Sequence, residues 1–346
     1  MKKIISFILL LIVLAAMIVA YLTFASATAF DEKSKSFVVQ DGKTDKAAVL
    51  ATLEEQHIIE NTMAFGVLAD RLGVWGKLKP GKFQLKNGDN LLTLARILRS
   101  NKQAEVRLVI NKLRTKEDLA KLIAKNFATD SITVLNFLNN NDSLKQFGVD
   151  NNTVFSIILP NTYAFYYFTP LSKIFTKIKN ARDIFWDAKD RQIKATALAL
   201  TPTEVYTLAS IVEEETNKEE DKGNIASVYI NRYNKGMLLG ADPTVRFAMN
   251  DFTIKRIYEK NLLIESLYNT YRNAGLPPGP ICTPSANTID AVLNAPKTDY
   301  LFFVASADLK GGSHFSTTYA EHLQYAKAYQ QALTIYLEKK QAQGDD

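Results

Sequence analysis

The alternation of apolar and polar positions divides the chain before any single residue is weighed. Lys2 and Lys3 precede an apolar run from Ile4 to Phe24, about the 20 residues a helix needs to cross a bilayer core and longer than the apolar stretch of a cleaved signal. The run reads as a signal anchor. Its flanking lysines put the N-terminal end in the cytoplasm and the remainder outside. Ala25-Ser26-Ala27 has the small-x-small form of a signal-peptidase site, so cleavage is the competing reading; run length favours the anchor.

Beyond a short polar linker at Asp31 to Ser36, one pattern occurs twice. Phe37-Val38-Val39 leads through Asp41-Gly42 to a helical stretch from Ala47 to Leu53, and Phe83-Gln84-Leu85 leads through Asn87-Gly88 to another from Leu91 to Leu98. Leu91, Leu94, Ala95 and Leu98 recur at helical spacing, whereas Val106 to Ile110 alternates as a strand does. A small α/β unit results, similar to the LysM-like modules that hold chitin-like and peptidoglycan sugars. A spacer of the same architecture that binds nothing fits the pattern equally.

From Thr115 to Ala199 the chain is mostly helical, with Leu119, Leu122 and Ile123 on one face and Val134, Leu135 and Leu138 on another. The run Leu159-Pro160-Asn161-Thr162-Tyr163-Ala164-Phe165-Tyr166-Tyr167-Phe168 interrupts it. Such a cluster is more often core than a platform for sugar rings. Thr201-Pro202-Thr203-Glu204 then carries three helix-start signals together: a capping threonine, proline at the first helical position and glutamate three residues after the cap. The helix runs to about Thr216, and Val205, Leu208, Ala209 and Val212 form its apolar stripe. At about 100° per residue, Glu213 and Glu215 flank the stripe on opposite sides and Glu214 points away from it. A carboxyl at the margin of a buried face is partly desolvated, which raises its pKa toward what a general acid needs near neutrality. The wheel sets Glu214 aside and leaves Glu213 and Glu215 open; a solvated helix end is the plainer alternative.

Composition narrows the chemistry. The 346 residues are 47% hydrophobic and 23% charged, and 42 lysines and arginines against 36 acids leave a net charge of +6. That is ordinary globular composition with a diffuse positive balance, too weak to indicate nucleic acid. One cysteine, Cys282, and three histidines, His57, His314 and His322, nearly exclude a Cys/His zinc site and leave little for a Ser/His/Asp triad. Phosphate-loop and dinucleotide glycine motifs are absent from the sequence. Neither a cofactor nor a metal is expected.

The stretch Leu208-Ala209-Ser210-Ile211-Val212-Glu213-Glu214-Glu215-Thr216 resembles the L-A-S-I-V-E-x-E-T signature of the endolytic murein transglycosylase family. The likeness continues through Ala226 to Arg232, Gly236 to Val245, Tyr268-Asn269-Thr270-Tyr271, Gly275 to Ile281, Tyr300 to Val304 and His314 to His322. These ordered motifs, with the anchor and the α/β unit, span nearly the whole chain. The resemblance implies an α+β fold in three parts: a membrane anchor over 1–30, a LysM-like module over 31–112 and a catalytic domain over 113–346, with a helical lead-in over 113–200 and motifs over 201–325. It implies Glu213 as the catalytic residue, acting as acid and then base. The muramyl C6 hydroxyl attacks C1 and leaves a 1,6-anhydro end, without the second carboxylate that a hydrolase needs. It further implies peptidoglycan strands as substrate, trimmed or terminated as they are made, and penicillin-binding-type synthases as partners. Placement is the outer face of the bacterial cytoplasmic membrane. For glycan contacts we single out Asp242, Thr244, Asn269 and Tyr271, with His314 as a further hydrogen-bonding candidate. One motif departs: where the family reads E-G-Y-L-F-P-D-T-Y, this chain has Phe155-Ser156-Ile157-Ile158-Leu159-Pro160-Asn161-Thr162-Tyr163 and lacks both acids.

Overall fold

The computed structural model describes residues 2–254 and 256–344. It forms two compact units, one built from the chain up to 108 together with 125–128 and 164–170, the other from 109–124, 129–163 and 171 onward.

In the first unit α1 (Lys2–Phe24) has none of the apolar window of its segment Ile4–Phe24 buried. It is long and apolar enough to cross a membrane, and it is not a core helix. The residues after it are structural. Ala27, Thr28 and Phe30 are buried, the Ala27 N–H donates to the Asp89 carbonyl at 3.0 Å, and the Ala27 carbonyl accepts from the Glu60 N–H at 2.9 Å. The expected linker at Asp31 to Ser36 therefore shrinks to three residues, since β1 (Ser34–Val39) already pairs antiparallel with β2 (Gly81–Lys86). The apolar side chains of 27 and 30 account for the difference: they fill the unit's core, and pairing satisfies the backbone that enters with them.

Between the strands lie α2 (Lys46–Glu55) and α3 (Thr62–Leu72), and α4 (Leu91–Arg99) follows β2. Phe37 stands opposite Phe83, their rings 5.9 Å apart. They pack with Val49, Leu53, Phe65, Leu94 and Leu98 into one core. The strand-turn-helix segments are where the sequence pattern puts them. Helix α3 is additional, capped by the Asn61 side chain at its start and by Gly73 in the left-handed region at its end.

β3 (Val106–Ile110), alternately buried and exposed as its sequence alternates, pairs with β4 (Asn161–Phe165). The helices α5 (Lys116–Asn126), α6 (Ser131–Asn139) and α7 (Asn141–Lys145) lie between these strands, and α8 (Leu171–Asp187) and α9 (Arg191–Ala197) follow them. The aromatic run around β4 is split: Tyr163 and Phe165 are buried, Tyr167 and Phe168 half-buried and Tyr166 exposed, and the Tyr163 hydroxyl donates to the Leu159 carbonyl at 2.8 Å.

At the centre of the second unit is α10 (Pro202–Glu215), with α11 (Glu219–Asn234), α12 (Asp242–Met249) and α13 (Ala286–Leu293) packed on it. Its start has the capping box read from the sequence: Thr201 accepts from the Glu204 N–H, and Glu204 reaches back to the Thr201 N–H. The stripe Val205, Leu208, Ala209 and Val212 is buried, but so are Tyr206, Thr207, Ser210 and Ile211. A helix covered on every side has no solvent face for its last turn to point into. The 279–282 loop closes one flank, where the Ile281 N–H donates to Ser210 Oγ at 3.0 Å. A side chain at Gly279 would put its Cβ 2.1 Å from the Asn152 carbonyl oxygen, so only glycine permits that approach. The hairpin β5 (Phe302–Ala305) and β6 (Ser313–Ser316) and the terminal α14 (Tyr319–Gly344) complete a mixed α+β fold.

Candidate active site

The three glutamates that end α10 enter three different environments. Glu213 sits at the start of α13. Its Oε2 accepts from the Thr288 hydroxyl, from Ser285 Oγ at 3.1 Å and from Lys222 Nζ at 3.4 Å. Ser285 is also the cap of α13, accepting from the Thr288 N–H at 3.2 Å. The Lys222 side chain is only 4% exposed and is shared with Thr288 and Glu219, at 2.8 and 2.6 Å. A carboxylate held by a buried ammonium and two hydroxyls at a helix N-terminus ties α10, α11 and α13 together.

Glu214 points away from the stripe, as the wheel requires, yet its side chain is only 11% exposed. Arg114 grips it through two parallel bonds, Nε at 2.9 Å and Nη2 at 3.0 Å, and Lys112 adds a third contact at 2.9 Å. Burial alone would raise the Glu214 pKa, but these cations hold it below the ordinary carboxylate range. Glu214 is thus a paired structural ion and not a solvated helix end.

Glu215 faces the other way, toward α11 and α12. The Tyr229 hydroxyl donates to its Oε1 at 2.5 Å. Desolvation pushes its carboxyl up to about 7, the negative charge of Asp242 adding to the push while Tyr229, Arg246 and Arg232 work against it. At neutral pH a group with that value populates its acid and its base forms in comparable amounts. Arg232 is fixed in place by donating to the Leu301 carbonyl at 2.7 Å and the Leu239 carbonyl at 2.6 Å.

Of the five glycan-contact candidates, the fold brings two to this side of α10. Asp242 opens α12, and its Oδ1 accepts from the Tyr271 hydroxyl at 2.6 Å. Burial and that bond push the Tyr271 phenol up, with Glu215 adding to the effect. Gly240 has φ +59°, and a Cβ built there would lie 3.6 Å from the Tyr271 ring. Thr244 and Asn269 have no exposed surface. Thr244 donates to the Ala241 carbonyl at 2.7 Å, and Asn269 donates to the Leu262 and Ile264 carbonyls at 2.8 and 2.9 Å. Both the hydroxyl and the amide hold loops in this structure; polar residues in turns satisfy the backbone first. His314 is exposed on β6, stacked on Tyr325 at 4.7 Å and 11° and 3.3 Å from Ser306 Oγ. Its contacts are confined to the hairpin and α14.

Sequence reasoning did not find Lys112, Arg114, Lys222 or Tyr229. Tyr229 and Arg232 stand three apart on α11 inside a motif read from the sequence, a spacing that puts both on one helical face. The lysines and Arg114 leave no such trace, because isolated cations read as surface. Among the described residues no three His, Cys, Asp or Glu side chains converge as a metal site requires.

The chain is similar to proteins already known. The endolytic murein transglycosylase of Bacillus subtilis (strain 168) is 42% identical over 125 residues, 36% of this chain and 34% of that one. Its namesake from Streptococcus pneumoniae is 31% identical over 169 residues, 48% of this chain and 30% of that one. The match thus spans about a third of the length of each of these relatives. A crystal structure of a putative yceG-like protein from Listeria monocytogenes aligns with 85% of this chain and 99% of its own, with TM-score 0.56 and 26% identity. The model of the YceG-like family matches residues 37–328, from within β1 through α10 and its surroundings into α14, and the chain belongs to that family.

Proposed function

We propose that this protein is a lytic transglycosylase of peptidoglycan, cutting the β-1,4 bond between N-acetylmuramic acid and N-acetylglucosamine, with Glu215 as its acid and base. The names of its relatives support the reaction class. One observation carries the residue: Glu215 accepts from the Tyr229 hydroxyl on the side of α10 where Asp242 and Tyr271 pair, and burial pushes its carboxyl up to about 7. Glu213, to which the resemblance points, is the alternative, but its carboxylate is engaged by Lys222, Ser285 and Thr288.

The chemistry follows from that poise. Protonated Glu215 donates to the bridging oxygen as the C1–O bond breaks, and the N-acetylglucosamine unit leaves as an alcohol. The carboxylate so formed takes the proton of the muramyl C6 hydroxyl, whose oxygen bonds to C1 and closes the 1,6-anhydro ring. The proton returns to Glu215 and no water is consumed. Tyr229 keeps one carboxyl oxygen occupied and leaves the other for the proton transfers. The Asp242–Tyr271 pair lies beside them as the glycan contact, its negative charge suited to steadying the oxocarbenium-like transition state. The protein would act from the outer face of the cytoplasmic membrane, held by α1, with the LysM-like module of the first unit on the strand and penicillin-binding-type synthases nearby.

The reading is tested by digesting purified peptidoglycan with the full chain and weighing the fragments. Anhydro ends, one water lighter than reducing ends, are expected; reducing ends would make the protein a hydrolase with Asp242 as the second carboxylate. Intact strands under conditions where binding is measured would make it a binding protein.

A further inference from the structure

A cleft of about 340 Å³ opens in the second unit, walled by Arg114, Lys116, Asn139, Asn152, Phe247 and Tyr268. A narrower pocket walled by Arg114, Glu214, Pro243 and Arg246 shares Arg114 with it. Pro243 directly follows Asp242, and Arg246 acts electrostatically on Glu215. The cleft and the candidate acid are thus linked through two arginines.

The walls have a definite chemistry. Lys116 is half-buried at the start of α5, and its Nζ donates to Asn139 Oδ1 at 2.8 Å. An ammonium has three donors, and among the described residues no hydrogen bond uses the other two, Glu117 and Asp150 acting on the ammonium only through space. Arg246 Nε is buried, also without a hydrogen-bond partner among the described residues. Lys112 and Arg114 share the single carboxylate of Glu214, so that cluster keeps one net positive charge. Against these cations the wall carries one acid, Glu117, which is exposed. Phe247 and Tyr268, ring centroids 4.7 Å apart, form the apolar side. Carboxamides, an aromatic pair and an under-used ammonium suit an anionic peptide better than a neutral sugar face, which needs no cation.

We infer that this cleft takes the acidic peptide borne by the muramyl residue of the strand, a peptide carboxylate meeting Lys116 and its amides meeting Asn139 and Asn152. The inference rests on the transglycosylase reading for its substrate class and adds to it a subsite for the peptide, so that strands stripped of peptide are poorer ligands.

The test uses the full chain in detergent and two probes with no glycosidic bond to cut: N-acetylmuramic acid with its lactyl carboxyl capped as a simple amide, and the same sugar carrying its acidic tripeptide on that carboxyl. Calorimetric titration of the wild type is expected to give at least about tenfold tighter binding of the peptide form, the order of one charge-assisted hydrogen bond. Lys116→Gln should reduce that ratio to near one, and Lys116→Arg should retain most of it, with circular dichroism confirming the fold of both. Equal affinities in the wild type, no saturable binding of the peptide form, or a ratio that survives Lys116→Gln would overturn the inference. Failure of the enzyme reading is registered elsewhere, in product mass, and leaves this ratio unaffected.

Discussion

The two signature glutamates lie two residues apart on one helix and are treated in opposite ways. On the α13 side, Glu213 meets a buried ammonium and two hydroxyls, an environment that uses its negative charge to join three helices. On the α11 side, Glu215 meets a phenol, a neighbouring carboxylate and two more distant guanidiniums, an environment that leaves its charge undecided near neutral pH. The lesson is that burial alone does not make a catalytic acid. Both residues are shielded, and what differs is the partner each meets: an ammonium and two hydroxyls for Glu213, a phenol for Glu215.

Substituting each side in turn breaks the comparison most sharply. Glu215→Gln is expected to lower the rate of glycan cleavage by about 10²–10⁴-fold, with thermal unfolding little changed, when initial rates on soluble labelled strands are compared with the wild type. Glu213→Gln should do the reverse. It leaves Lys222 buried with only the exposed Glu219 as anion, which should lower unfolding free energy by about 1–3 kcal/mol, while the folded fraction keeps its turnover. A Glu213 variant that folds normally and is inert would reverse the assignment.

A smaller effect concerns pH and stability. The Glu215 carboxyl lies near 7 in the folded chain against an ordinary value of 4.5, so folding favours its neutral form. That contribution is complete below about 4.5 and is lost as pH rises through about 7. The unfolding midpoint should therefore fall between pH 5 and pH 8 by more in the wild type than in Glu215→Gln; parallel curves would contradict this. The smallest expected change is from Asp242→Asn, which removes a charge that pushes Glu215 up. The pH–rate profile should shift downward by less than about one unit, whereas Tyr229→Phe, losing a bond to the charged form, should shift it upward.

The sequence was a good guide wherever the signal was local. The capping box at Thr201 and Glu204, the buried stripe of α10 and the Phe37 and Phe83 strands all follow from residues a few positions apart. It was a poor guide to the last turn of α10, because a helical wheel presumes a solvent side and this helix is enclosed. What encloses it comes from far away in the chain: Arg114 reaches Glu214 across 100 residues, and Thr288 reaches Glu213 across 75. Thr244 and Asn269 show the converse. They stand in the loops where ligand contacts are usual, but a buried loop consumes its own polar groups.

The central claim is that the proton moves at Glu215, and the carboxyl can be followed directly. In the full chain with ¹³C-labelled glutamate, the resonance absent from Glu215→Gln identifies it, and its shift is recorded as pH is varied. A midpoint near 7 is the expected result. A midpoint at the ordinary 4.5 would contradict the account and return the catalytic role to Glu213, to which the resemblance points.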